Sequence, residues 1–217
     1  MLLVPETLQQ LKQAIKDLND VRAKELTQKA LAEGISPLLV IEQGLADPLR
    51  EIGEMFGRGD VFLTDLVAGA AAMEAAMEIV GPAIEKSGEK RVSKGKLVIG
   101  TVEGDIHDIG KNIVSSMIKA NGFDVYDLGK DVPCSRFAEK TKEVNPGVVG
   151  ASALLTSTLP KQEDLVKLLA ANGLREKVKV IVGGAPASSA WAQKINADGY
   201  APDAAQAVDL VKKLFRA

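Results

Sequence analysis

The chain has almost no thiol or imidazole to work with: one cysteine, Cys134, and one histidine, His107, in 217 residues. A single thiol excludes an internal disulfide and a multi-thiolate metal site, and leaves packing or a surface thiol as the role of Cys134. Aromatic residues make up only 4% against 46% hydrophobic, so the cores are aliphatic. Charge of neither sign dominates; with 27 basic and 29 acidic side chains the net charge is −2. That excludes holding nucleic acid or an anionic membrane by bulk electrostatics. By inspection no apolar run reaches the roughly 20 residues needed to cross a bilayer. The start, MLLVPETLQQ, lacks a basic segment followed by an apolar one, so the expectation is a cytoplasmic chain without a membrane partner.

Residues 1–86 are expected to form a helical domain. Leu8, Leu11, Ile15 and Leu18 recur on one face of Glu6 to Leu18, and Val21, Leu26, Ala30 and Leu31 on one face of Asp20 to Ala32. After Gly34, Ser36-Pro37 reads as an N-cap followed by a first-turn proline. Pro48 is expected to kink or split the next helix near Asp47. A last helix, Thr64 to Glu85, is rich in alanine and methionine. Residues 87–95 (SGEKRVSKG) are polar and glycine-containing and read as a linker and hinge.

From 96 to 217 strand and helix patterns alternate: KLVIGTV, DVYDLG, GVVGAS, VKVIVGG and a short GYAP, each followed by helical spacing. Five strands so arranged predict an α/β domain with a parallel, Rossmann-like (flavodoxin-like) sheet behind the helical bundle. The one histidine falls at the carboxyl end of the first strand, where such sheets bind ligands, in Gly104-Asp105-Ile106-His107-Asp108-Ile109-Gly110. Two further stretches belong to the same sheet edge. Ser152-Ala153-Leu154 runs on to Thr156 and Thr158 after strand three, and Gly183-Gly184 closes strand four. Read singly, each has an ordinary explanation: Asp108 as a helix N-cap, Met73 and Met77 as helix core, the glycine pair as a tight turn, Trp191 as packing.

Together, Asp105-x-His107-x-x-Gly110, then Ser152-x-Leu154 after 41 residues, then Gly183-Gly184 after a further 28, resemble the motifs of the cobalamin-binding domain that holds B12 with its lower base displaced. With the helical module in front, the chain is similar to the corrinoid proteins of methyltransferase systems, nearest the methylamine branch, and to the matching modules of cobalamin-dependent methionine synthase. Phe56, Gly57, Gly59 and Phe62 resemble that family's turn between cap helices, with Thr64 where a proline often stands. The resemblance implies a carrier that is not catalytic alone. Its cobalamin would cycle between methyl-Co(III) and Co(I). His107 is the implied lower axial ligand to cobalt, and Asp105 and Thr158 are its relay. Gly104, Ile106, Asp108 and Leu154 are implied around the corrin, and Ser152 and Thr156 on the displaced tail. Gly110, Gly183, Gly184 and Ala204 line the tail's slot, and Phe62, with Val67, Met73 and Met77, shields the methyl group. The implied partners are a substrate-specific methyltransferase, an acceptor methyltransferase and a reductive activase; the donor is a methylated amine, a methoxyaromatic or methanol. A cobalamin-based sensor, a mutase subunit and a B12-free metal hydrolase using Asp105, His107 and Asp108 are the alternatives.

Overall fold

The computed structural model describes residues 4–87 and 93–216, which fall into a helical unit and an α/β unit dividing after Val92. Most of the expected linker, residues 88–92, lies outside the described residues. Its two ends are not free: Ser87 finishes the last helix, while Lys94 and Gly95 are hydrogen-bonded to Gly122 and Asp124 of the α/β unit.

In the helical unit α1 (Glu6–Lys16) buries Leu8, Leu11, Ala14 and Ile15. The helix stops short of Leu18, which adopts a left-handed conformation (φ 58°) and so leaves the apolar face assigned to it. Asn19 caps α2 (Asp20–Ala32) by accepting from Arg22 N–H at 2.9 Å. The buried face of α2 is Ala23, Leu26, Thr27 and Ala30; Val21 is instead exposed. Ser36 and Pro37 stand at the N-cap and first position of α3 (Pro37–Leu39) as expected. Near Asp47 the chain does not split. A π-helical segment, Val40–Ala46, passes directly into α4 (Asp47–Arg58), with Asp47 N–H donating to Glu42 C=O five residues back. The wider turn absorbs Pro48, which has no N–H to give. α5 (Leu63–Ser87) packs closely on its neighbours: a Cβ added at Gly69 would lie 2.8 Å from Ile52 Cδ1. Contrary to the reading by inspection, Leu63–Ile84 is long and apolar enough to cross a membrane by length and composition (mean hydropathy 1.4). Leu66, Ala72, Met73, Ala76 and Val80 of this helix are buried in the unit.

The α/β unit holds five parallel strands in the order β2 (Asp124–Asp127), β1 (Lys96–Thr101), β3 (Val148–Ser152), β4 (Lys179–Gly183), β5 (Gly199–Tyr200). Strands β1, β3 and β4 are buried along nearly their whole length, because helices cover both faces. On one face Val98, Val149, Ala151, Val180 and Val182 pack with Phe137 of α7 (Cys134–Val144), Leu165 and Leu169 of α8 (Pro160–Ala171), and Ala192 of α9 (Ser189–Lys194). α6 (Ile109–Ala120) and α10 (Ala204–Leu214) pack on each other and contribute nothing to that cluster. Ser188 and Asp203 cap α9 and α10. Trp191 packs against the core as expected, and its indole N–H donates to Gln162 Oε1 at 2.9 Å.

Candidate functional site

Register brings the three sequence stretches level. Thr101 pairs with Ser152, and Ser152 with Gly183, so the ends of β1, β3 and β4 form one row. The chain order reverses direction between β1 and β3, which is where open α/β sheets carry their ligand crevice.

Asp105 is the centre of the site. Its carboxylate is fully buried and accepts from both of the loops that flank the crevice. Oδ1 takes the His107 backbone N–H at 3.0 Å and faces the ring Nδ1 at 2.8 Å. Oδ2 takes the Leu154 and Leu155 N–H groups at 2.7 and 3.2 Å and the Thr158 hydroxyl at 2.7 Å. Burial pushes the carboxyl up, but the hydrogen bonds from Thr158, from the backbone and ring of His107, and from Leu154 outweigh it and hold Asp105 well below the usual carboxylate range. An ionised acceptor favours the tautomer with its proton on Nδ1, which leaves Nε2 as the ring nitrogen not bonded to Asp105. The His107 side chain is 46% exposed.

This geometry gives the motif a physical meaning. Leu154 enters through its backbone, which turns from β3 towards Asp105, while its side chain stays exposed with Leu155, Ile106 and Ile109. All four are exposed apolar side chains on or beside the loops that meet at Asp105. Gly104 has a left-handed φ of 82°, while a Cβ there would make just an ordinary contact with Thr158 Cγ2 at 3.6 Å. Gly184 (φ 109°) is more constrained, since a Cβ would fall 1.8 Å from Ala153 C=O. Gly183 lies against β5, with Ala201 C=O 3.5 Å from where its Cβ would be, and Gly110 borders open space. Ser152 is half-buried and Thr156 exposed. Asp108 takes the N-cap position of α6 without a side-chain capping bond. Ala204 is buried at the start of α10 and offers no open surface. In the helical unit Phe62 is 80% exposed and Val67 partly so, whereas Met73 is buried in the helical core and is not available as a shield.

Four contributors escape a reading of the sequence. Thr101, fully buried, donates its hydroxyl to His107 C=O at 3.2 Å. Asp131 accepts from Gly104 N–H at 2.7 Å. Lys111, just past Gly110, is buried and paired with Asp127 at 2.6 Å. Gln162, also buried, donates to the carbonyls of Ala151 and Gly183 at 2.9 and 3.0 Å, tying β3 to β4 beneath the row.

The hydrolase alternative loses its ligands here. Asp105 spends both oxygens on protein donors, and among the described residues no group of three or more His, Cys, Asp or Glu side chains is placed to hold a metal ion. A corrinoid fits: imidazole is a borderline donor suited to cobalt, Nε2 is the ring nitrogen that Asp105 leaves free, and exposed apolar side chains on the neighbouring loops suit a macrocycle.

Comparison with known proteins agrees. A family model described as a B12 binding domain matches residues 95–209, and a second with the same description matches 7–80. The chain is 45% identical over 207 residues to the trimethylamine corrinoid protein of Methanosarcina barkeri, covering 95% of each. It is 46% identical over 210 residues to dimethylamine corrinoid protein 1 of Methanosarcina acetivorans, covering 97% of this chain and 98% of that one. Among solved structures, a chain of the methanol:cobalamin methyltransferase complex from Methanosarcina barkeri matches with a TM-score of 0.85 and 28% identity, over 99% of this chain and 82% of that one. Its motifs, its fold and its relatives thus agree over nearly the whole length, and the chain belongs to the B12-binding corrinoid proteins.

Proposed function

We propose that this protein is a methyl carrier, holding a corrinoid with His107 Nε2 as the lower axial ligand and serving a methyltransferase that demethylates methylated amines. When bound, the corrinoid supplies a cobalt centre that accepts a methyl group from one partner and gives it up to another. The observation that carries the reading is the Asp105 carboxylate, which fixes the imidazole at Nδ1 and leaves Nε2 as the donor atom. A carboxylate behind a ligating histidine raises its basicity and sets its orientation. Thr158 stabilises that carboxylate in turn, and a proton taken up by the Asp105–His107 pair would weaken the imidazole as a donor and so loosen the ligand.

Ser152 and Thr156 are the hydroxyls assigned to the displaced nucleotide tail, with Gly183 and Gly184 as the bare backbone beside it and Gly110 as the open side. The amine donor rests on the relatives named for trimethylamine and dimethylamine; the methanol complex marks the competing donor class. That complex also supports a methyltransferase partner. The acceptor methyltransferase and a reductive activase complete the cycle.

The test is reconstitution with hydroxocobalamin under anaerobic conditions, followed by visible spectra of the wild type and of His107→Ala. The wild type should lose the bands of cobalamin ligated by its own base. His107→Ala should bind more weakly and show the spectrum of a protein without a nitrogen ligand below. Identical spectra for the two would overturn the ligand assignment. Methylation of the reduced carrier by a purified amine methyltransferase, with trimethylamine, dimethylamine and methanol compared, decides the donor.

A further inference from the structure

The turn that carries His107 is held from outside by a loop that no part of the motif encodes. Between β2 and α7 the chain lies along the end of β1. Thr101 N–H donates to Gly129 C=O at 2.9 Å, and Val132 N–H to Thr101 C=O at 3.0 Å. Asp131, between them, grips the turn twice: its own N–H donates to Asp105 C=O at 2.9 Å, and its Oδ1 accepts from Gly104 N–H at 2.7 Å. To do so it takes a left-handed backbone, φ 54°. A non-glycine residue there is strained, though aspartate and asparagine bear it best. Gly104 is left-handed as well, so two residues in uncommon conformations are joined by the bonds that each needs.

Resting on the reading of His107 as axial ligand, we infer that Asp131 is a positioning residue for that ligand: it fixes the Gly104-Asp105 turn, and through it the height and tilt of the imidazole. Asp105 sets the ring relative to the turn, and Asp131 sets the turn relative to the sheet. Without the Asp131 carboxylate, Gly104 N–H turns to water, because both residues are exposed. The turn then samples other positions, and the histidine-ligated population falls.

The chain's sole histidine makes this directly measurable. Protein grown with histidine labelled in the heavy nitrogen isotope is loaded with cob(II)alamin, and the nitrogen splitting of the cobalt electron-spin resonance is recorded. Only coupling to His107 changes with the label; coupling to the corrinoid's own base does not. Asp131→Gly keeps the left-handed backbone and removes the acceptor, and Asp131→Asn keeps both. Asp131→Gly is expected to lower the ratio of histidine-ligated to unligated cobalt by about five-fold, the scale of one lost hydrogen bond. Asp131→Asn should restore the wild-type ratio, and Asp131→Ala should behave like glycine or worse. A glycine variant with the wild-type ratio overturns the inference while leaving His107 as ligand. So does an asparagine variant as impaired as the glycine one. No label-dependent splitting in the wild type overturns the ligand reading and this inference together.

Discussion

Replacing Gln162 with leucine tests whether the crevice is held open by design of the strands or by one buried amide. Gln162 is fully buried and makes three hydrogen bonds, donating to Ala151 and Gly183 C=O and accepting from the Trp191 indole. At about 1 kcal/mol net for each, the loss is about 3 kcal/mol. Two effects reduce it. Gly183 C=O keeps Ala153 N–H as a partner at 3.2 Å. Leucine, of nearly the same volume, regains roughly 1 kcal/mol by burying apolar surface in place of the amide. The expected cost is therefore about 2 kcal/mol. Trp191 is the only tryptophan, so its fluorescence during urea unfolding reports the α/β unit specifically. Unfolding of Gln162→Leu within about 0.5 kcal/mol of the wild type would refute the reasoning and show that the β3 and β4 ends hold their spacing unaided.

Three other outcomes follow from the same structure. Asp105 titrates lower in the folded protein than unfolded, so its contribution is present above about pH 4, the unfolded value, and is lost as pH falls below it; the stability gap between wild type and Asp105→Asn in urea should therefore be constant near neutrality and narrow in acid, and a gap that widens in acid would contradict this. Lys111→Met should cost about 1 to 3 kcal/mol in the same assay, less than a fully buried pair would, because Asp127 is a quarter exposed and keeps Gly129 N–H. Burial, with Asp164 nearby, pushes the Cys134 thiol up, so alkylation by iodoacetamide at pH 7 should be several-fold slower than for a free cysteine; reaction at the free rate would show the thiol more open than its packing implies.

The sheet was legible because strands buried on both sides are continuous apolar runs. The adjacency of β1, β3 and β4 was expected from a flavodoxin-like strand order, and the pairing of Asp105 with His107 was implied by the resemblance to the cobalamin-binding domain. Side-chain detail was less so. Leu18 looked like one more residue on a helical face, yet it leaves the helix in a left-handed turn that periodicity does not reveal. The π-helical segment ahead of Pro48 arises from a hydrogen-bond register that side-chain spacing records only weakly. Asp131, Thr101, Lys111 and Gln162 act through bonds to backbone groups or partners brought together by the fold. Asp131 reaches a turn 27 residues away, and nothing in its neighbourhood distinguishes it from a surface aspartate.

The buried carboxylate at position 105 draws its donors from two stretches of chain, only one of which carries the His107 ring. Transplanting the histidine hairpin alone into another sheet of this kind would therefore deliver an unsupported anion. A working graft has to move the segment from Leu154 to Thr158 with it, and exchange between relatives should succeed only when both stretches come from the same parent.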